Sequence, residues 1–244
     1  AAPTPSALRA CALRMADAAA TVTCAHFRQA LDVDDKSQGD AFDPVTRADR
    51  EAESAMRALA LSTFPDLGFV GEETGATKGR SRYRWIVDPI DGTRSFIAGV
   101  PVWGTLIGLM DGEAPVLGVS DHPFLGERYV GSAWNGARTA VQNADGAERA
   151  LRTRDTASLG DALLTCTTPH LFAKGGERAA YDALEARCRL SRYSLDCYGY
   201  CLMAAGHFDL VVEAQLAPYD ILPLIPIIEG AGGVVSDWRG RPAH

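Results

Sequence analysis

Between residues 66 and 136 the chain repeats one pattern five times: a short apolar run that ends in Gly, Asp or Pro. The runs are GFVGEE, RYRWIVDP, TLIGLMDG, APVLGVSD and RYVGSAWNG. Short apolar runs bounded by turn formers read as β-strands, and Asp111-Gly112 and Asn135-Gly136 carry hairpin signals. The pattern predicts a meander of antiparallel strands. With 244 residues at 47% hydrophobic content, the chain can bury a substantial core. Helical periodicity precedes the strands, over 6–30 and 47–63. The second helix has Thr46 and Asp49 near its start and stops at Phe64-Pro65. Between the helices, LDVDDKSQGDAFDP is polar and reads as a mobile arm.

From about residue 150 the grain alternates. ALLTCTT, RLSRYSL and FDLVVEA read as strands. GERAAYDALEARC, CYGYCLMAAG and ILPLIPIIEGAG read as helices, and GGVVSDW as a closing strand. Strand and helix in turn argue for a layered α/β arrangement. Two lobes are expected, 1–150 (α+β) and 151–244 (α/β), joined by a polar linker, VQNADGAERALRTRDTAS. The end at GRPAH, soon after the last expected strand, suggests a few further residues beyond it.

Composition excludes several classes of function. Charged residues make up 23%, and the net charge of -7 argues against a polyanion partner such as nucleic acid. The sequence has no run of eighteen apolar residues, so no membrane span is expected. The alanine-rich start reads better as a first helix than as a targeting remnant. Six cysteines stand at positions 11, 24, 166, 188, 197 and 201, without a CxxC pair. Cys197 and Cys201 are one helical turn apart but have no His at ligand spacing. Reduced, mostly buried thiols in a cytoplasmic protein are the expectation. Neither GxGxxG nor GxxxxGK[ST] occurs, which disfavours a nucleotide-binding module.

Chemistry concentrates in WIVDPIDGTRSF (85–96). Alone, its two acids could cap a tight turn before a helix. Other acids change the reading: Glu72 and Glu73 end GFVGEE, while Asp49 and Asp220 open helices. Carboxylates from four elements converging on one pocket would repel one another unless a cation neutralised them. The donors on offer, including the Ile90 carbonyl, are all oxygens, which favours a hard divalent ion, Mg²⁺ before Zn²⁺. Such a site suits phosphoryl transfer to water. Gly92 lets the backbone approach an anion. The Gly92 and Thr93 amides can face phosphate, and the Thr93 hydroxyl can orient water.

GEE (71–73), WIVDPIDGTRSF and PYDILPLIPIIEGAGGVVSDW (218–238), with VTRAD, resemble the signature segments of the inositol monophosphatase-like phosphatases, in order and separation. The resemblance implies an inositol monophosphatase/fructose-bisphosphatase-like fold, a layered α-β-α-β-α sandwich. It implies a homodimer that needs Mg²⁺, two or three ions per site, and is sensitive to Li⁺. It assigns Glu72 to metal binding and water activation, and Asp88 to bridging two metals. The Ile90 carbonyl would bind the first metal, and Asp91 and Asp220 the second. Thr93 would act with Asp49 on the nucleophile, the Gly92 and Thr93 amides would hold phosphate, and Lys36 would lie in the flexible loop that closes over the site. Tyr219 departs from the Trp common before the aspartate, a change of packing residue. With all these residues present, a non-catalytic cation-binding protein on the same fold is disfavoured.

Within the family, FIAGVPVWGTLIGL, PVLGVSDHPFLGERYVG and the segment from Asp196 to Asp220 look most like the histidinol-phosphate phosphatase branch. Asp196 and Glu213 are the expected substrate-binding acids, suited to a cationic amine; a helix cap is the plainer role for Asp196. An inositol-1-phosphate or broad sugar-phosphate phosphatase is the alternative. Asp121-His122-Pro123 reads as a turn rather than a catalytic His. Phe96 and Trp103 read as packing beneath the loop, Glu73 as a solvated or supporting acid, and Arg94 as outward-facing or paired with a local acid.

Overall fold

The computed structural model describes residues 3–30, 33–36 and 44–242. Helix α1 (Pro5–His26) opens at Thr4, whose Oγ1 accepts from the Ala7 amide at 3.2 Å, and has Pro5 in its first turn, where no backbone donor is lost. Strands β1 (Val33–Asp35) and β2 (Pro44–Thr46) pair antiparallel. Strand β1 and the first residue of β2 fall within the expected mobile arm, 31–44, of which 31–32 and 37–43 lie outside the described residues. Helix α2 (Arg47–Thr63) has the span its periodicity predicts. The N-cap Thr46 and the third-position Asp49 close a reciprocal capping box.

The main sheet has eight strands in the order β10-β9-β8-β7-β6-β5-β3-β4. These are β3 (Gly68–Gly71), β4 (Gly75–Thr77), β5 (Tyr83–Asp91), which leads into the short helix α3 (Thr93–Ile97), then β6 (Gly104–Asp111), β7 (Ala114–His122), β8 (Glu127–Trp134), β9 (Ala137–Ala144) and β10 (Ala147–Ala150). The expected antiparallel meander holds from β5 to β10. It fails at β3, which runs parallel to β5. Strand β4 hairpins onto the other side of β3, so the chain returns to β3's free side in β3's own direction.

The expected linker is also corrected. Residues 141–144 belong to β9, 147–150 form β10, and Asp145-Gly146 is their hairpin turn, with both φ angles positive, 52° and 73°. This edge hairpin is exposed along most of its length. It therefore lacks the apolar alternation that marks a half-buried strand.

A second sheet is parallel, in the order β12-β11-β13: β11 (Leu163–Cys166), then α4 (Gly176–Glu185), β12 (Leu190–Tyr193), α5 (Asp196–Ala204) and β13 (Leu210–Val211). The helix expected over 221–232 is split into α6 (Pro218–Ile221) and α7 (Ile225–Gly230). Pro223 and Pro226 supply no amide to a continuous ladder. The closing strand is replaced by one isolated bridge, Ser236 to Pro242, and Val234 is 85% exposed. Trp238 instead turns its indole N–H to the Glu213 carbonyl, 2.9 Å away, and packs edge-on against Phe172.

The layers follow from alternation along the strands. Trp85, Val87, Ile107 and Leu109 face α1 and α2, while Leu106, Tyr129 and Ala140 face α5 and α7. Helix α5 also touches β11 and β13, and α4 packs Tyr181 against Leu164 and Cys166 on that sheet. The result is the α-β-α-β-α sandwich. One glycine matters for the site: a Cβ on Gly118 would lie 1.8 Å from the Pro223 carbonyl oxygen. This bare position in β7 lets the α6–α7 segment settle on the sheet, bringing Asp220 to the end of β5.

Candidate active site

Strand β5 solves the problem of two acids three residues apart. On a regular strand, positions i and i+3 point to opposite faces. Here Asp88 pairs with Leu106 but Asp91 with Gly104, so β5 spends three steps where β6 spends two. The extra residue is a bulge, a position that tolerates Pro89. Thr105 Oγ1 donates to the Pro89 carbonyl at 2.8 Å, and the Ile90 amide to Asp88 Oδ1 at 2.9 Å. Beneath the bulge, Ile90, Phe96, Trp103, Phe27 and Ala48 form a buried cluster, so Phe96 and Trp103 pack as expected. Gly92, at φ +85°, then turns the chain into α3, and Thr93 Oγ1 donates to the Ile90 carbonyl at 3.0 Å.

Asp220 arrives from α6, where its Oδ2 accepts from the Ala217 amide at 2.7 Å. Asp49 is held in the same way in α2, accepting from the Thr46 amide at 2.8 Å and the Thr46 hydroxyl at 2.5 Å. Each is the third residue of its helix, and each is anchored by a backbone donor left over at the helix start.

Asp88, Asp91 and Asp220 bring one carboxylate oxygen apiece within 4.8 Å of one another. Burial pushes the Asp88 carboxyl well up, and Glu72, Asp91 and Asp220 add to it. Asp91 is raised by burial and then by Asp196 and Asp220. Asp220 is pushed up to about 6 by burial, with Glu72 contributing. A cluster whose members raise one another in this way calls for a cation. Its donors are hard oxygens, with neither Cys nor His, and a hard divalent ion fits them.

The protein supplies one cation itself. The Lys36 ammonium sits 3.0 Å from Glu72 Oε1 and 2.8 Å from Glu73 Oε1. Burial opposes its charge, but the two glutamates outweigh burial and raise its pKa. Glu73 therefore pairs with Lys36 rather than facing solvent. Tyr219 is half-buried beside Glu72, Asp220 and Asp88 and packs on Ile86, Met110, Leu222 and Ile225.

Asp196 is not the cap of α5. Leu195 holds that position without a side-chain bond, and Asp196 follows it at φ +47°. Its Oδ2 accepts from Ser95 Oγ at 2.5 Å, and a Cβ on Gly92 would lie 2.9 Å from that same oxygen. Burial raises the Asp196 carboxyl, while Ser95 and Arg94 lower it. The α5 terminus is bound instead by Asp91, whose Oδ2 accepts from the Cys197 amide at 2.8 Å.

Glu213 Oε1 accepts from the Thr167 amide and hydroxyl at 2.5 and 2.9 Å, and its Oε2 is buried with no protein partner. Burial pushes Glu213 up to about 7, with Asp196 adding to the rise against the Thr167 bonds. Tyr200 of α5, nearly buried, feels Glu213, Asp91 and Asp220 together.

Sequence reasoning missed Ser95, Tyr200 and, above all, Glu53. Fully buried in α2, Glu53 accepts from the Glu73 and Thr74 amides at 2.7 and 2.9 Å. Its spacing of four from Asp49, on one helical face, was the available signal.

Other expectations settle outside the site. His122 ends β7 rather than lying in a turn. It is buried between Ser120 Oγ and the Trp103 carbonyl, both at 3.0 Å, and burial pulls its pKa down to about 4. Neighbouring Asp121 pairs with Arg128 at 2.7 Å. All six cysteines are free, with Cys24 exposed and Cys188 partly so.

Fold and site together define a phosphatase of the inositol monophosphatase family. The family model matches residues 4–244, and the chain belongs to that family. It is 43% identical over 229 residues to the bifunctional phosphatase IMPL2, chloroplastic, of Arabidopsis thaliana, covering 93% of this chain and 63% of that protein's length. A histidinol-phosphatase of Chlorobaculum parvum is 37% identical, over 94% of this chain and 85% of its own length. The solved structure of an inositol monophosphatase from Zymomonas mobilis superposes with a TM-score of 0.81 at 41% identity, over 96% of this chain and 87% of that one.

Proposed function

We propose that the protein is a Mg²⁺-dependent phosphomonoester hydrolase acting on L-histidinol phosphate, an enzyme of histidine biosynthesis. The observation that carries the substrate assignment is the pair of half-buried acids, Asp196 and Glu213, that stand beside the carboxylate cluster. Asp196 lies against Gly92, and Glu213 keeps one oxygen unpartnered. A neutral polyol gains little from two partly desolvated carboxylates, whereas an ammonium or imidazolium group satisfies both. The names of the relatives support both this reading and its alternative, an inositol-1-phosphate or broad sugar-phosphate phosphatase.

Glu72, Asp88, Asp91, Asp220 and the Ile90 carbonyl are the residues that would hold two or three Mg²⁺ ions. Bound there, the ions would neutralise the phosphate oxygens and lower the pKa of the attacking water. The chain's own residues do the rest. Gly92, without a Cβ, lets the phosphate approach the turn, and the Gly92 and Thr93 amides hold it. Thr93 and Asp49 position the water and take its proton. Asp196 and Glu213 orient the alcohol half, which fixes the ester for in-line attack. Lys36 holds Glu72 and Glu73 until the ions bind.

We place the enzyme in a reducing, cytoplasm-type compartment, on the strength of its six unpaired cysteines, and expect a homodimer. No described helix is long and apolar enough to cross a membrane.

The test is phosphate release from L-histidinol phosphate and inositol-1-phosphate, side by side in Mg²⁺. We expect kcat/KM to favour histidinol phosphate by about tenfold or more, the discrimination one charge-assisted contact can supply. A comparable preference for inositol-1-phosphate would reverse the assignment.

A further inference from the structure

Glu53 is a fully buried carboxylate outside the acidic cluster, on the helix that carries Asp49 one turn earlier. Its Oε2 accepts from the Glu73 amide at 2.7 Å. Its Oε1 accepts from the Thr74 amide at 2.9 Å and from the Thr74 hydroxyl. These donors belong to the turn between β3 and β4, which begins at Glu72. Gly71, the residue before Glu72, exists for this contact: a Cβ there would lie 2.2 Å from Glu53 Oε1.

Arg57, one turn further along α2, grips the other arm of the hairpin. It donates to the Gly75 carbonyl at 2.6 Å and the Thr77 hydroxyl at 2.5 Å, and its guanidinium lies over Phe69. A single helix thus fixes the hairpin at two levels. The turn bearing Glu72 is set relative to Asp49 by side chains of the same rigid element.

We infer that Glu53 is a positioning residue, which holds the Glu72 carboxylate in the metal cluster by clamping the backbone amides that follow it. The inference rests on Glu72 being a metal ligand. A ligand held by a prepaid backbone geometry binds metal without first ordering its turn, so loss of the clamp should appear as weaker metal binding. A merely structural acid would affect folding alone.

The experiment is calorimetric titration of metal-free protein with Mg²⁺, paired with thermal denaturation, for Glu53→Gln, Thr74→Val, Glu72→Gln and Met56→Ala. In Glu53→Gln an NH₂ replaces one of two accepting oxygens and faces a backbone N–H. Mg²⁺ affinity should fall by about tenfold or more, the usual size for a lost partner behind a metal ligand. Thr74→Val removes one hydroxyl contact and should cost about threefold. Met56→Ala empties core volume on the same helix; it should lower the Tm while leaving affinity within about twofold.

A folded Glu53→Gln with wild-type Mg²⁺ affinity, or with a loss no greater than that of Met56→Ala at equal Tm, overturns the inference. Should Glu53→Gln fail to fold, amide exchange on the wild type decides. Protected Glu73 and Thr74 amides in metal-free protein support the clamp, and exchange at open-loop rates refutes it. If Glu72→Gln itself binds Mg²⁺ normally, the ligand assignment fails and the inference goes with it. A weakened Glu72→Gln beside an unaffected Glu53→Gln rejects Glu53 alone.

Discussion

The Cys197 amide donates to Asp91 Oδ2 across 2.8 Å, joining the last residue of β5 to the first turn of α5. Asp196, the neighbour of that amide, is itself held by Ser95, four residues beyond Asp91. The acid assigned to the metal and the acid assigned to the substrate are therefore fixed to each other through one backbone. Asp91→Asn can keep an acceptor for the Cys197 amide but removes the charge proposed to bind the metal, and an amide cannot serve as an anionic ligand. Its kcat should fall by more than about 100-fold, beyond the loss typical of outer partners of a metal site. Phosphate release at saturating Mg²⁺ checks this.

Asp196→Asn tests the substrate assignment. The change is isosteric and keeps an acceptor for Ser95, but removes the charge. We expect KM for histidinol phosphate to rise by about 10-fold to 100-fold, the worth of a hydrogen bond to a charged partner. KM for a neutral phosphate ester should move by less than about threefold. Equal losses on both substrates would remove the ammonium contact.

Glu213 gives a pH dependence with a definite sign. Its carboxyl is raised from 4.5 to about 7 by burial, so the folded protein holds this proton more tightly than the unfolded chain. The stability it contributes is complete below about pH 4.5 and is lost as pH rises through about 7. The Tm of metal-free protein should decline across that window, and Glu213→Gln, which cannot ionise, should flatten the decline. Calorimetric scans at pH 5, 6 and 7.5 measure it. A cationic substrate favours the ionised form, so KM should improve over the same range.

Mg²⁺ should stabilise the fold, and more so above pH 6. Asp220 is raised to about 6, so below that pH an ion must displace its proton. At a concentration 100 times Kd, binding contributes about 2.7 kcal/mol. Melting curves with chelator and with Mg²⁺, at pH 5.5 and 7.5, should show a larger Tm increase at the higher pH.

Gly118→Ala tests how Asp220 is delivered. The new methyl would fall on the Pro223 carbonyl, 1.8 Å from where a Cβ sits, and backbone must move to admit it. We expect a loss of about 1–3 kcal/mol, as for overpacking elsewhere. Mg²⁺ affinity should fall as well, because the shifted segment carries Asp220, which we propose as a ligand. Urea unfolding and calorimetry read the two effects separately.

The sequence alone determined much of this protein. Periodicity placed α2 residue for residue and found β5 to β8. The acids Asp88, Asp91, Glu72, Asp49 and Asp220 stood out because each ends a strand or opens a helix, where a side chain is held rigidly, and Thr93 stood out because it follows the Asp88–Asp91 turn. Tertiary structure decided what depended on partners distant in the chain. Strand β3 lies parallel to β5 because β4 had taken its other side, and the exposed β9–β10 hairpin carried no apolar alternation to reveal it. Asp196 is drawn to Ser95 rather than capping its own helix, and Glu53, an ordinary helix residue by sequence, is buried beneath the Glu72 turn. Local preference is written in a few neighbouring side chains, whereas a carboxylate's role is set by whichever donors and charges the packed layers bring to it.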